Sequence, residues 1–199
     1  MGTLRKMRWW SVGLASLSLL GCGGGSAVIP TSYSSYNAKD GSFACDTPDG
    51  WEIKGGGKSG TPVWAKFTSG SALIHFKASS TNRLANASMT GRGAEANEVP
   101  AFAPVHLLHI EAMKQAEEEF EGYSETVGPT VMNCPLGPAR MSEFTFDTTF
   151  GTLMHGYRIS IIGFDRGVNV FCICPDNDWK TLKPVFDKVL ASIVRGEVE

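Results

Sequence analysis

The sequence lacks features that would assign it to a common functional class. It contains no Gly-x-Ser-x-Gly motif, which a serine hydrolase of the α/β-hydrolase type carries. It has no basic excess, since 18 Lys and Arg stand against 20 Asp and Glu, and this balance argues against a nucleic-acid partner. Its N-terminal apolar run, 9–21, has 13 residues, whereas a membrane-spanning helix needs about 20.

The glycine-rich stretch 54–60 does not have the pattern of a phosphate-binding loop. Glu52 occupies the first glycine position of that motif, and Pro62 and a predicted strand follow where a helix is required. We therefore expect a mobile loop between two strands over 54–60.

The first 25 residues have the organisation of a secretory signal. Three basic residues within 5–8 precede the apolar run, and small residues follow it. The stretch 19–22, Leu-Leu-Gly-Cys, resembles the lipobox of bacterial lipoproteins, in which the cysteine is lipidated and becomes the mature N-terminus. This resemblance implies a signal peptide over 1–21 and a diacylglycerol, often with a further acyl chain such as palmitate, on Cys22.

Lipidation predicts a protein of the cell envelope that is anchored on its extracytoplasmic side through Cys22. In enterobacteria an aspartate after that cysteine marks retention in the inner membrane. Gly23 occupies the position here, which favours the outer membrane. Residues 22–199 carry 15 basic and 20 acidic residues, a net charge near −5, so we expect no electrostatic attraction to an anionic bilayer.

The mature chain divides into a tether and one domain. Residues 22–41 are rich in Gly, Ser and Tyr and show neither helical nor strand periodicity. They predict a flexible tether with a reach of about 25 Å. Residues 42–195 are long enough for a single domain with a hydrophobic core.

Four cysteines remain besides Cys22, namely Cys45, Cys134, Cys172 and Cys174. Disulfides persist in exported proteins, so one expectation is a bond from Cys45 or Cys134 to Cys172 or Cys174. The alternative is that all four are small buried hydrophobic side chains. Sequence alone does not choose between the pairings.

Alternating patterns and turn residues predict a meander of strands. A first strand over 42–47 leads to a turn and to Trp51, which we expect to be a core anchor. A hairpin over 63–69 and 72–79 turns at Gly70, with Lys66, His75 and Lys77 on its wetter face. Later strands are predicted at 130–133, 139–148, 152–164 and 168–174. The long polar stretch 80–104 is either functional or disordered.

Two helices are predicted. The first spans 105–121 and has an apolar stripe at helical spacing made of Val105, Leu108, Ala112, Ala116 and Phe120. The second follows residues 175–178 and has a break at Pro184. Its buried stripe comprises Trp179, Leu182, Phe186, Val189, Leu190 and Ile193.

Local patterns near the start, middle and end of 42–195 resemble one known fold family. They are Phe43 with Pro-x-Gly-Trp at 48–51, Gly-x-Ala-Arg at 137–140, and the spacing of apolar residues and Pro184 over 179–193. These patterns resemble the PsbP/Mog-type α/β/α sandwich, including its small bacterial lipoprotein members. The resemblance implies an α+β fold in which helices cover an antiparallel sheet.

Proteins of this type are mostly non-enzymatic accessory or binding proteins. One branch helps to assemble a photosystem manganese cluster and another binds a small GTPase, but no residue pattern here carries over either role. We therefore expect a lipid-anchored, extracytoplasmic, non-catalytic interaction protein with a protein partner and without a cofactor.

A ligand or metal carrier is the alternative. His106 and His109 lie three residues apart on the first predicted helix, and Met113 lies four beyond His109. Imidazole and thioether groups of this kind suit a soft, Cu(I)-like ion. This alternative requires the two histidines to converge with a third ligand.

Overall fold

The computed structural model describes residues 25–57, 62–80, 104–163 and 166–198. It contains nine strands and two helices in these ranges. In chain order they are β1 (Tyr33–Asn37), β2 (Ala44–Pro48), β3 (Glu52–Gly56), β4 (Val63–Ser69), β5 (Ala72–Ser80), α1 (Pro104–Glu119), β6 (Ser124–Met132), β7 (Ala139–Asp147), β8 (Leu153–Ile162), β9 (Arg166–Pro175) and α2 (Asp176–Ala191).

Seven strands form one antiparallel sheet in the order β3-β4-β5-β9-β8-β7-β6, and β1 and β2 form a separate two-stranded sheet. The predicted α+β class is confirmed. β9 lies at the centre, where its neighbours Cys172 and Ile173 point to opposite faces and are both fully buried. This strand is therefore covered on both faces of the sheet.

The predicted hairpin of β4 and β5 is confirmed, and its turn needs a glycine. Gly70 has a φ of 54°, and a Cβ atom there would lie 2.2 Å from the carbonyl oxygen of Gly25. Glycine alone combines this left-handed backbone with so close an approach.

The main core lies on one face of the large sheet, beneath α2, β1 and β2, and we call this side the apolar face. The predicted stripe of α2 is buried, and Trp51 is only 6% exposed, as predicted. Phe43 packs on Phe76 of β5 with ring centroids 4.7 Å apart. This burial of aromatic and aliphatic surface holds the two sheets and α2 together.

The predicted helix break at Pro184 was wrong, because α2 runs without interruption through this residue. Pro184 is exposed to solvent. The carbonyl that loses its helical donor therefore faces water rather than the core. Packing of Leu182 and Phe186 on either side keeps the helix whole.

α1 begins and ends close to the predicted limits but turns a different side to the sheet. Leu108, predicted to be buried, is 53% exposed, whereas His109 is fully buried beside Val105 and Ala116. The predicted stripe with Leu108 and the observed stripe with His109 both have helical spacing. The sheet selects the one with His109 because two serines satisfy its ring nitrogens.

Most of the predicted tether is held by the domain, so its predicted limits were wrong. β1 pairs with β2 over Tyr33–Asn37. Further upstream the backbone N–H of Val28 donates to the hydroxyl of Ser69 at 2.8 Å, and its carbonyl accepts from the Trp51 indole at 2.9 Å. The chain is therefore held against the domain at Val28 and over Tyr33–Asn37.

The bounds of two strands, β3 and β6, also differ from the sequence prediction. Residues 54–56 belong to β3 rather than to a loop, and 58–61 lie outside the described residues. β6 starts at Ser124 rather than at 130, and its pairing with β7 contains two register shifts that obscure the alternating pattern. The predicted polar stretch 80–104 lies almost wholly outside the described residues.

Neither described helix is long and apolar enough to cross a membrane.

The different exposure of two leucines gives a direct test of this packing. Leu182→Ala should lower the free energy of unfolding by about 2–5 kcal/mol, because it leaves a cavity beneath α2. Leu108→Ala should change it by no more than about 0.5 kcal/mol, because this leucine faces solvent. Urea titration of both variants measures the difference, and equal losses would contradict the observed orientation of α1.

Candidate interaction surface on the α1 face of the sheet

The face of the large sheet opposite the apolar face carries α1, and we call it the α1 face. α1 packs mainly against β6, β7 and β8. The part of this face on β3, β4 and β5 is therefore without a covering helix in the described part of the chain. We call the part under α1 the covered half and the part on β3, β4 and β5 the open half. In the open half Lys54 is exposed, and four side chains are half-buried, namely Trp64, Lys66, His75 and Lys77.

Strand register places polar side chains of the α1 face in two rows across the sheet. Residues directly opposite each other point to the same face at a separation of about 5 Å. The first, called the basic row, contains Lys54, Lys66, His75, Phe171, Arg158 and Ser142. The second contains Gly56, Trp64, Lys77, Asn169, Ser160 and Arg140.

In the covered half, His109 of α1 lies between two serines of the sheet. Its Nδ1 is 3.0 Å from the hydroxyl of Ser160, and its Nε2 is 3.1 Å from that of Ser142. Ser160 donates to the side-chain oxygen of Asn169 at 3.2 Å. Ser160 thus accepts from Nδ1–H, and in a neutral imidazole the remaining nitrogen, Nε2, accepts from the Ser142 hydroxyl.

The surroundings of His109 favour the same neutral form. Burial, followed by the nearby charges of Arg158, His106 and Arg140, lowers the pKa of His109 to about 3. The neutral imidazole of His109 makes one hydrogen bond at each ring nitrogen. At this point hydrogen bonds, rather than apolar contacts, hold α1 on the sheet.

Arg158 also lies in the covered half, closer than His109 to the C-terminal end of α1. Its guanidinium lies 5.2 Å from the ring centroid of Phe171 and 5.7 Å from that of Phe144, and it donates to the carbonyl of Ala112. Tyr123 also packs against it and donates to Glu125. Burial raises the pKa of Glu125. These groups join α1, β6 and β8 in a packed, structural arrangement.

The open half presents cations around one aromatic ring. Lys54 and Lys66 are directly opposite each other, and Lys77 is directly opposite Trp64. The Trp64 indole lies over Gly56, where a Cβ atom would be 2.9 Å from the ring. Ammonium groups beside an indole suit recognition of acidic groups.

The local field of the open half is positive. Burial, followed by the charges of Lys66 and Lys77, lowers the pKa of His75 to about 4. The Glu52 carboxylate lies 2.8 Å from the Lys54 ammonium, but both side chains are largely exposed, so this ion pair is weak.

Sequence reasoning found only part of this surface. Alternation had placed Lys66, His75 and Lys77 on the wetter side of the predicted hairpin. Lys54 was missed, because 54–60 was assigned to a loop. The pairing of β3 with β4 brings Lys54 opposite Lys66, and a strand's register is not readable from its own residues.

A second group of ionisable side chains lies at the margin of the apolar face. His155 Nδ1 is 2.8 Å from Asp176 and its Nε2 is 2.9 Å from Glu143. Its ring stacks on Trp179 with centroids 4.2 Å apart, and Lys183 lies 3.8 Å from Glu143. These contacts attach the start of α2 to β7 and β8.

The predicted metal ligands do not converge. Both ring nitrogens of His109 are occupied by serine hydroxyls, and His106 Nδ1 has no hydrogen-bond partner among the described residues. Within the described ranges, no three His, Cys, Asp or Glu side chains are arranged to hold an ion. The geometry gives no support to a site built on His106 and His109.

The four cysteines of the domain are free thiols in the structure, so the disulfide considered from the sequence is not formed there. Cys45, Cys172 and Cys174 are buried and Cys134 is half-buried. Burial raises the pKa of Cys45 and of Cys174 to about 12, which makes both thiols poor nucleophiles. Cys22 lies outside the described residues.

No protein-family model matches the chain, and no curated protein matches its sequence. Among solved structures it is similar to cyanobacterial PsbP (CyanoP) from Synechocystis sp. PCC 6803, with 12% identity, a TM-score of 0.57, and coverage of 87% of this chain and 98% of that chain. The domain therefore has a PsbP-like α+β fold. At this identity the likeness concerns the fold alone.

Two other solved structures are similar at lower scores. LpqN of Mycobacterium tuberculosis, described as involved in cell envelope biogenesis, has 12% identity and a TM-score of 0.49, with 86% of this chain and 90% of that chain covered. PA94 from Pseudomonas aeruginosa has 12% identity and a TM-score of 0.47, with 83% and 99% covered.

The buried imidazole of His109 predicts a pH dependence of stability. Its pKa of about 3 in the folded protein lies below the ordinary value of about 6.5. The unfolded chain therefore binds a proton first, and stability falls as the pH drops below about 6.5. His109→Gln should flatten the slope of unfolding free energy between about pH 4 and pH 6 by up to about 1.4 kcal/mol per pH unit.

Ser142→Ala is the matched control for this measurement. It removes one hydrogen bond but leaves the imidazole, so stability should fall while the slope persists. An unchanged slope in His109→Gln would contradict the assignment of the buried neutral form.

The thiols should differ in reactivity. Under iodoacetamide at about pH 8 we expect Cys134 to be alkylated first, with Cys45, Cys172 and Cys174 protected until the domain unfolds, because burial disfavours their thiolates. Site-resolved mass spectrometry with and without urea measures this order. Alkylation of Cys172 as fast as that of Cys134 in the native protein would contradict the structure.

Proposed function

We propose that this chain is a lipid-anchored, extracytoplasmic, non-catalytic interaction protein. The basic segment, the short apolar run and the lipobox-like stretch 19–22 support lipidation of Cys22. One acyl chain holds a protein weakly and two or more hold it firmly, so a diacylated cysteine is a sufficient anchor. Gly23 after the cysteine favours the outer membrane over the inner one.

The observation that carries the interaction role is the open half of the α1 face. Strand register brings three lysines, Lys54, Lys66 and Lys77, around Trp64; Lys54 is exposed, and the other three side chains are half-buried. An aromatic anchor with charged neighbours suits a macromolecular partner. We infer a protein partner whose contact surface is acidic.

The short link to the membrane gives this role a physical mechanism. The chain is attached to the domain at Val28, so few residues separate the domain from Cys22. A tether of this length raises the effective concentration of the domain towards other proteins of the same membrane. Binding through the open half then depends on position as well as on affinity.

The proposal predicts the result of a crosslinked pull-down from native membranes. The wild type should enrich a specific partner. Cys22→Ala with a cleavable signal should lose it, because the local concentration is lost. Lys66→Glu should also lose it, because it reverses charge at the centre of the open half.

Lys180→Glu is the matched control, because Lys180 is an exposed lysine of α2 on the other side of the sheet. It should retain the partner. Enrichment of no partner by the wild type, or equal enrichment by Lys66→Glu, would contradict the proposed role of this surface.

A further inference from the structure

The start of the described chain is held at one end of the large sheet. The carbonyl of Gly25 lies against Gly70 in the turn between β4 and β5, and the backbone N–H of Val28 donates to the hydroxyl of Ser69, the last residue of β4. The chain therefore enters the domain beside this turn.

Chain length limits the distance between the turn and an anchored lipid. Cys22 precedes Gly25 by three residues, and three extended residues span at most about 11 Å. If Cys22 carries the lipid, the turn at Gly70 lies within about that distance of the point where the chain meets the bilayer.

The same end of the sheet carries the turn between β7 and β8. Leu73 at the start of β5 is paired with Ile173 near the end of β9, which is paired with Gly156 near the start of β8. The two turns are separated by about three strand spacings, or about 14 Å. A bilayer that lies near one turn therefore also lies near the other.

The β7–β8 turn, 148–152, carries one exposed aromatic ring among three threonines. Phe150 is 93% exposed, and Leu153 beside it is 43% exposed. Gly151 adopts a φ of 73° and completes the tight turn that projects the ring. Phe and Leu are among the apolar side chains that interfacial segments bury at the boundary between headgroups and acyl chains.

We propose that this end of the sheet faces the bilayer and that Phe150 inserts into the lipid interface next to the anchor on Cys22. The proposal rests on the lipidation that the proposed function includes. Asp147 and Asp176 lie at the same end, which favours a zwitterionic over an anionic lipid surface. The strands then stand away from the membrane, and the open half of the α1 face points sideways towards neighbouring proteins.

The test compares environment-sensitive labels at two exposed positions of the full, lipidated chain. An NBD fluorophore is attached to Phe150→Cys or to Leu107→Cys, each in a Cys134→Ser background, with the chain in phosphatidylcholine nanodiscs. Leu107 is 60% exposed and lies near the start of α1. Leu107 is the matched control. The chain leaves α1 beside Asp147, at the end of the sheet that we propose faces the bilayer, so the start of α1 lies towards the opposite end.

We expect the label at 150 to shift to the blue and its quenching by aqueous iodide to fall about tenfold, as for a group in the interface. The label at 107 should show the same emission wavelength and the same iodide quenching in nanodiscs as in detergent-free buffer. The label at 150 should also stay in water when Cys22→Ala removes the anchor.

Equal responses at 150 and 107 in a chain shown by mass spectrometry to be lipidated would overturn this inference and leave the proposed function standing. Unmodified Cys22 would remove the anchor from the proposed function and this inference with it. An equal shift at 150 in Cys22→Ala would overturn the role of the tether in placing the ring.

Discussion

The antiparallel pairing of β5 with β9 is the contact on which the rest of the structure depends. It runs from Leu73 opposite Ile173 to Ser80 opposite Arg166 and joins the N-terminal hairpin to the C-terminal meander. These strands lie about a hundred residues apart, so the pairing carries the loop-closure cost of a non-local contact. Without it the large sheet would divide into a three-stranded sheet, β3-β4-β5, and a four-stranded sheet, β9-β8-β7-β6.

This pairing also creates two sheet faces of different chemistry. On the apolar face, Cys172 of β9 and Phe76 of β5 contribute to one continuous core beneath α2. On the α1 face, the same registers align His75 with Phe171 and Arg158 in the basic row. The hydrophobic effect stabilises the first face, whereas the second combines aromatic packing with hydrogen bonds to His109 and an open, charged half.

The placement of α1 divides the α1 face. Its buried histidine bonds to serines of β7 and β8, and its aromatic C-terminal side packs through Phe120 on Phe146. Both contacts hold α1 over the C-terminal half of the sheet. The lysines of β3, β4 and β5 therefore remain outside its cover, and in the proposed function the lipid tether keeps this open half close to the membrane.

The sequence alone was sufficient where short-range patterns decide the outcome. The β4–β5 hairpin follows from alternation around Gly70. The buried stripe of α2 follows from the spacing of Trp179, Leu182 and Phe186. The resemblance of core and turn residues also led to the PsbP-like fold class, because those residues determine which faces must be buried.

Tertiary structure decided the rest, because the rest depends on which surface each segment meets. Two stripes of α1 have helical spacing, and only the serines of the sheet select His109 over Leu108. β1 was missed because five residues without clear alternation become a strand only when β2 lies beside them. Lys54 and Lys66 lie on different strands, and pairing register alone makes them neighbours.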